Sequence, residues 1–183
     1  ADYNPHVPIC LEPKAQEPRA HLFVANMPAA LLAVAQAGRP SLRVTLDVGH
    51  SLAALESPAH AAVLAMRAGP AGPAGGSPRS DRLGQVHLND NYRDWDLDLV
   101  PGAVNVWDHV EVFFWLAKLG YDGWYNMDVF PYRERGVEAI ELTVRVVRRC
   151  ARVADALLAA GAEEDIRAGQ HLKLLADLWD RVD

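Results

Sequence analysis

The order of strand-like and helix-like segments constrains the fold of this chain more than any other feature of its sequence. Four segments alternate between apolar and polar residues, which is typical of strands, and turn-forming residues bound each one. They lie near residues 7–12, 42–47, 83–88 and 123–129. Apolar residues at helical spacing occur at residues 27–37, 57–68, 108–119, 136–160 and 163–181. This order predicts an α/β fold in which right-handed connections join the strands into a parallel sheet.

Within each predicted strand, the two alternating sets of side chains differ in character. One set is aliphatic, as expected for a sheet face that helices cover. The other set places a polar or ionisable residue near the carboxyl end of every strand, namely Glu12, Asp47, His87 and Asp128. Because a parallel barrel builds its active site from the carboxyl ends of its strands, we expect these four side chains to meet.

The four strands amount to half of an eight-stranded parallel barrel, for which about 250 residues are typical. The chain has 183 residues, 50% of them hydrophobic, which suffices for one domain with its own core. We therefore expect a single domain over residues 1–183. Because the first predicted strand follows within a few residues of the start, we also expect a longer protein, or another chain that covers the open sheet edges.

Charge and composition argue against several classes of partner. A formal net charge of -6 and a pI near 5.6 leave no basic face for phosphates, so we expect no nucleic acid. No apolar run approaches the ~20 residues that span a bilayer, so we expect no membrane. Two cysteines without a C-x-x-C spacing predict a reducing cytoplasm. We interpret the low-complexity segment 69–82 as a surface excursion without chemistry.

The four strand-end residues have the donor chemistry of a divalent cation site. Three carboxylates and one imidazole suit Mn²⁺, Co²⁺ or Mg²⁺ better than a metal that prefers thiolates. Any one of these residues alone is more typical of a solvated strand end. Together on the inner face of a barrel, they would repel one another and be desolvated unless a cation compensated them. The set therefore predicts a metal site.

Further potential ligands accompany these strand ends. His50 follows Asp47 by three residues, and Asp94, Asp96 and Asp98 alternate in the segment after the third strand. Taken alone, a loop histidine and a run of acids are typical of solvated surface. A second cation about 3.5 to 4 Å from the first, bridged by a carboxylate, would use two of the three acids.

At these strand ends the chain resembles a known group of proteins. The motifs "LEPK", "LDVGH", "HLNDN", "DLDLVPG" and "YNMDVF" resemble the metal-binding strand ends of the xylose isomerase-like TIM-barrel superfamily. They are most similar to the two-metal aldose–ketose isomerases, xylose isomerase and bacterial L-rhamnose isomerase, over about residues 7 to 135. Asp47 and His87 match the rhamnose isomerase arrangement, since xylose isomerases proper carry Glu and Asp there. The resemblance implies a (β/α)8 barrel of which this chain holds the C-terminal half.

The resemblance also implies roles for individual residues. Glu12, Asp47, His87 and Asp128 would hold a structural metal, and Asp47 would bridge to a catalytic metal. The resemblance assigns the remaining ligands of that second metal to His50, Asp96 and Asp98. Lys14 corresponds to a lysine near the substrate oxygen, so the implied catalytic residues are Lys14, His50 and Asp96. The spacing from Gly102 favours Asp96 and Asp98, whereas the spacing from His87 slightly favours Asp94 and Asp96, and both pairs stay open.

The implied function is a sugar isomerase that interconverts an aldose and a ketose with two divalent cations, Mn²⁺ before Co²⁺ or Mg²⁺. A homo-oligomer, or pairing with the missing N-terminal half-barrel, is expected. Three alternatives stay open. A single-metal epimerase would carry a Glu base where this chain has Asp128, and a metal hydrolase of the endonuclease IV type would have more histidines and a basic face. The third is a non-catalytic half-barrel that needs a partner chain.

The remaining aromatic and histidine residues indicate no second site. Trp95, Trp107 and Trp124 could stack on a sugar ring, but large aromatic residues more often serve packing. The other histidines lack a ligand-like context, and we expect them on the surface or on helices; they are His6, His21, His60, His109 and His171.

Overall fold

The fold is described by a computed structural model, which covers residue 4, residues 6–68 and residues 82–181. The low-complexity segment lies almost entirely outside these described residues. The strands are β1 (Ile9–Leu11), β2 (Gln16–Glu17), β3 (Ala20–His21), β4 (Leu42–Asp47), β5 (Leu83–Leu88) and β6 (Trp124–Met127). The helices are α1 (Met27–Ala37), α2 (Val48–Ala53), α3 (Pro58–Arg67), α4 (Val106–Leu119), α5 (Gly136–Ala159), α6 (Ala162–Arg167) and α7 (His171–Trp179).

The four predicted strands form one parallel sheet in the order β1-β4-β5-β6. Apart from the short antiparallel hairpin of β2 and β3, spatial neighbours in this sheet are also successive strands in the sequence. Successive parallel neighbours joined by helices are the arrangement of a (β/α) barrel. The predicted α/β architecture is therefore confirmed, with four strands of such a barrel present.

The aliphatic face of the sheet packs against the helices, as the sequence predicts. Val44 and Leu46 of β4 and Val86 and Leu88 of β5 are fully buried. Helices α1, α3, α4 and α5 supply most of the other core residues. Burial of these side chains against one another leaves the opposite set of each strand on the inner face of the sheet.

Local signals in the sequence set the ends of several helices. Asn26 accepts a hydrogen bond from the backbone N–H of Ala29 at the start of α1, and Ser57 accepts one from His60 at the start of α3. Gly120 ends α4 in the left-handed conformation, with φ of 72°, which glycine adopts without strain. Helix α4 begins two residues before the predicted start at residue 108.

Two sequence predictions about the elements are wrong. The segment 163–181 was expected to be one helix, but it forms α6 and α7, because Gly169 with φ of 69° interrupts the helical path between them. His50 was expected in a turn after the second strand, but it lies in α2, which Asp47 caps by accepting the His50 backbone N–H at 2.7 Å. None of the helices in the described ranges is long and apolar enough to cross a membrane.

Candidate metal centre

Strand register brings the polar strand ends together. Asp47 of β4 is the register partner of His87 of β5, and His87 is the partner of Asn126 of β6. Asp128 follows the end of β6 and donates its backbone N–H to the carbonyl of Leu88 at 3.2 Å. Parallel register therefore places these strand ends side by side at one edge of the sheet.

A polar layer on the inner face supports the strand ends from below. The Gln85 side-chain amide donates to the Thr45 hydroxyl at 3.1 Å, and the Asn126 amide donates to the Gln85 carbonyl oxygen at 3.0 Å. These hydrogen bonds join β4, β5 and β6 two residues before Asp47, His87 and Asp128. Layered side chains are typical of the interior of a parallel barrel, and here they fix the relative height of the three strand ends.

Glu12, Asp47, His87 and Asp128 form a cluster in which one ligand atom of each lies within 4.8 Å of the others. The His87 Nδ1 atom lies 3.0 Å from Asp128 Oδ2, 3.5 Å from Glu12 Oε2 and 3.7 Å from Asp47 Oδ2. Three carboxylates around one imidazole nitrogen have the composition and spacing that a hard divalent cation requires.

The electrostatics of this cluster also fit a cation. His87 Nδ1 is buried and forms no hydrogen bond with the described residues, and an orphaned polar atom of this kind calls for a ligand. The carboxylates of Asp47 and Glu12 raise the pKa of His87 to about 10, although burial opposes the charged ring. The cluster therefore attracts positive charge strongly, and a divalent cation would supply that charge in place of a proton.

His50 links this cluster to a second one. Its Nδ1 atom lies 3.1 Å from the Pro13 carbonyl oxygen and 3.2 Å from Glu12 Oε1, and its Nε2 atom lies 3.2 Å from Asp96 Oδ2. The ring is buried between these groups. Burial opposes the charged form of His50, but its hydrogen bond to Asp96 and the charge of Asp47 raise its pKa. His50 therefore lies between the two predicted ligand sets.

Lys14 and Asp96 form the charged part of the second cluster. The Lys14 ammonium lies 2.8 Å from Asp96 Oδ2 and 2.7 Å from Glu17 Oε1. Burial opposes ionisation of Asp96, but hydrogen bonds from His50 and Lys14 lower its pKa to about 2. Asp96 Oδ1 is buried and forms no hydrogen bond within the described residues. This oxygen is available to a ligand.

The structure separates the three alternating acids. Asp96 and Asp98 face the cluster, where burial and the neighbouring Asp96 raise the pKa of Asp98 to about 6. The Asp94 side chain is exposed, and the Asp94 backbone carbonyl accepts a hydrogen bond from the Gln16 side-chain amide at 3.3 Å. Of the two acid pairs that the sequence leaves open, Asp96 and Asp98 are the pair that the structure brings together.

A small polar cavity of about 170 Å³ opens beside the second cluster. Its lining includes Lys14, Glu17, His50, Trp95, Asp96 and Asp98. Of the three tryptophans considered above, Trp95 lines this cavity, Trp107 packs edge-on against Trp179 at 5.1 Å between ring centroids, and Trp124 is 79% exposed. The second cluster therefore opens onto this cavity, and His50 joins that cluster to the first.

Sequence reasoning missed a buried polar network directly after β5. Asn89, Asp90 and Asn91 are completely buried. Asp90 accepts hydrogen bonds from the backbone N–H groups of Asn91, Val104 and Asn105 and from the Asn105 side chain. Three consecutive polar residues at the end of a buried strand were the available signal.

His109 lies on a helix, α4, in agreement with the prediction. It is buried there, and its ring nitrogens lie 2.9 and 3.0 Å from the backbone carbonyl oxygens of Asn105 and Asn89. These contacts tie the segment after β5 to α4. A histidine on the inner side of an amphipathic helix has this structural use more often than a catalytic one.

Parallel β/α units with a potential cation site at their strand ends define a protein of the (β/α) barrel class. The family described as xylose isomerase-like TIM barrel matches residues 3–150, and the chain belongs to this family. The crystal structure of a D-tagatose 3-epimerase-like protein matches with a TM-score of 0.62 and 20% sequence identity. That match covers 82% of this chain and 49% of the other, so the chain spans about half the length of that protein. Curated protein sequences give no significant match.

Proposed function

We propose that this chain carries the metal centre of a divalent-metal-dependent sugar isomerase, which interconverts an aldose and a ketose by a hydride shift. One observation carries the proposal. Two clusters of hard ligands, centred on His87 and on Asp96, are joined through His50, and the second cluster, which includes the Lys14 ammonium, opens onto a polar cavity. Adjacent carbonyl and hydroxyl oxygens of an open-chain sugar match such a pair of clusters.

The residues divide between two cation sites in this proposal. Glu12, Asp47, His87 and Asp128 hold the first, and His50, Asp96 and Asp98 hold the second with Asp47 between them. Oxygen-rich ligand sets of this kind favour Mn²⁺, with Co²⁺ and Mg²⁺ as the other candidates. When bound, the two cations polarise the carbonyl and acidify the neighbouring hydroxyl, so that hydride transfer from C2 to C1 becomes accessible.

The protein's own side chains complete this chemistry. Although burial disfavours the ammonium form, hydrogen bonds to Asp96 and Glu17 raise the pKa of Lys14, which keeps a positive charge at the cavity. That charge stabilises the carbonyl oxygen as it becomes negative. Asp96 or Asp98 would assist transfer of the hydroxyl proton, and the pKa of Asp98, raised to about 6, suits this role better than the pKa of Asp96, lowered to about 2. His50 orients Asp96 through its Nε2 contact.

A sugar epimerase is the second candidate, and the likeness to the D-tagatose 3-epimerase-like structure favours it. At 20% identity that likeness supports the fold alone. Epimerases of this superfamily use a glutamate base on the last strand, and this chain has Asp128 there, close enough to His87 to act as a ligand. The two reactions differ in the fate of hydrogen, since a hydride shift retains it and epimerisation through a base exchanges it with solvent.

An aldotriose deuterated at C2 tests this proposal most directly. It cannot close a ring, so the test needs no ring-opening residue. With Mn²⁺ or Co²⁺ present, we expect the ketotriose to form above the metal-only rate, with deuterium at C1 by NMR. Deuterium lost to solvent supports base-mediated proton transfer, and no ketose above the background contradicts the isomerase.

The sheet edges support a further part of the proposal. Within the described residues, β1 pairs only with β4 and β6 only with β5, and Ile9 and Trp124 are exposed at the two edges. Open edges with apolar side chains favour association. We propose that four further β/α units cover them and close an eight-stranded barrel.

The cytoplasmic location stays a prediction from the sequence.

The oligomeric state of the chain tests whether the open sheet edges need a partner. We expect the 183-residue chain alone to give a light-scattering mass above the 20.0 kDa of one copy, because a second copy offers the nearest set of β/α units. Size exclusion coupled to light scattering provides the measurement. A stable, monodisperse particle of one-chain mass would contradict the idea that the edges need a partner.

A further inference from the structure

We propose that Asn89 is a positioning residue that couples the two ligand sets by holding one carboxylate of each. The inference rests on the proposed function, because it concerns the second cation site of that proposal. Asn89 does not line the cavity, and among the described residues its side chain forms no hydrogen bond with the imidazole of His50 or His87, so its effect would pass through Asp47 and Asp98.

The hydrogen bonds of the Asn89 side chain carry this inference. Its amide nitrogen donates to Asp47 Oδ2 and to Asp98 Oδ1, each at 3.2 Å. The amide has two N–H groups, and each is directed at a different carboxylate. Asp47 belongs to the first ligand set and Asp98 to the second. A single buried amide therefore fixes the separation of the two sets and orients the carboxylate that is proposed to bridge them.

The surrounding backbone holds the amide in place. Asn89 Oδ1 accepts the backbone N–H of Gly49 at 2.6 Å, and a Cβ atom built on Gly49 would lie only 2.6 Å from that oxygen. Glycine is therefore required for so close an approach between α2 and the segment after β5. The Asn89 backbone carbonyl in turn contacts His109 Nε2 of α4 at 3.0 Å. Gly49 therefore holds the side-chain amide of Asn89, and His109 holds the backbone that carries it.

Such a rigid amide has a function in addition to packing. Partners that hydrogen-bond to metal ligands fix their orientation, and their loss typically weakens metal binding about 10- to 100-fold. After Asn89 is removed, Asp47 Oδ1 still accepts a hydrogen bond from the His50 backbone N–H. We therefore expect removal of Asn89 to affect the second cation, which uses Asp98, more than the first.

Asn91 provides a matched control. It is as buried as Asn89 and also contacts Gly49, since its side-chain amide donates to the Gly49 carbonyl at 2.8 Å. Its carbonyl oxygen accepts the Arg93 backbone N–H, and neither bond reaches a carboxylate of the ligand sets. Asn89→Ala and Asn91→Ala therefore remove similar buried amides beside the same glycine, and only the first disconnects the ligand sets.

Calorimetric titration with Mn²⁺ tests the inference on the wild-type chain and both variants. We expect two ions to bind to wild type, the Kd of the weaker ion to rise about 10- to 100-fold in Asn89→Ala, and both constants to stay unchanged in Asn91→Ala. Equal weakening in both variants, or none in Asn89→Ala, overturns the inference. If Asn89→Ala does not fold, Asn89→Ser, which can donate one hydrogen bond at most, replaces it with the same expectation.

The same titration separates this inference from the proposed function. A wild-type chain that binds no ion overturns both, and one that binds a single ion overturns the coupling and the two-cation mechanism together. Two ions with wild-type affinity in Asn89→Ala overturn the coupling alone. Visible absorption of bound Co²⁺ gives a second readout that does not depend on activity, because a reoriented Asp98 carboxylate alters the cation's coordination.

Discussion

Saturating Mn²⁺ is expected to raise the melting temperature of this chain, and Asp47→Asn to abolish that rise. A ligand that binds only the folded state at about 100 times its Kd contributes about 2.7 kcal/mol to stability. For a domain of this size that corresponds to about 5 to 11 °C in Tm. Co²⁺ is expected to act in the same direction, and a chelator to reverse the effect.

Asp47 is the most sensitive position for this test because residues of both ligand sets lie close to it. It is 1% exposed, pairs with His87 in register, and lies between His87 and His50. Asparagine keeps the size of the side chain and an oxygen that can accept the His50 backbone N–H, so the cap of α2 survives. The substitution removes the negative charge from both proposed cation sites.

Asp94→Ala supplies the matched control for this experiment. It removes an acid from the loop that carries Asp96 and Asp98, but the Asp94 side chain is exposed, whereas Asp47 is buried in the ligand cluster. Differential scanning fluorimetry should show the full metal-dependent rise in Asp94→Ala, and none in Asp47→Asn or His87→Ala. The binuclear centre is wrong if neither metal nor chelator moves the wild-type transition, and a rise lost in Asp94→Ala as well would indicate nonspecific charge effects.

The first ligand set could be predicted from the sequence because strand geometry carries most of the information. Side chains alternate between the two faces of a strand, so residues of equal parity near four strand ends share one face. Register then brings Asp47 beside His87, and the structure places Glu12 and Asp128 within the same cluster. The alternation of apolar and polar residues was sufficient for this prediction. Helices cover the apolar face of the sheet, so the polar set must lie on the inner face.

The second ligand set and its support were harder to predict because they depend on loops. The hairpin of β2 and β3 brings Glu17 to Lys14, and α2 turns His50 toward Asp96. A run of Asn and Asp after a strand has the composition of a solvated turn. Only tertiary contacts, with Gly49 and with α4, show that Asn89 is buried and hydrogen-bonded.

Lys14→Met is expected to lower kcat/KM for aldose–ketose conversion by about 10²- to 10³-fold, which is the usual cost of losing one group that stabilises a developing oxyanion. Lys14 lies between Asp96 and Glu17 and lines the polar cavity, but it is not a cation ligand in the proposal. Methionine keeps the length and apolar stem of the side chain and removes only the ammonium charge. The metal-dependent rise in Tm should therefore persist in this variant.

Lys14→Arg distinguishes the charge of this residue from its shape. It retains a positive group near Asp96, although the planar guanidinium cannot reproduce the point contact of an ammonium. We expect its activity to lie between those of wild type and Lys14→Met, as measured by the rate of ketotriose formation. Wild-type activity in Lys14→Met would show that the cations alone stabilise the oxyanion. Loss of the metal-dependent Tm rise in that variant would place Lys14 in the support of the cation site instead.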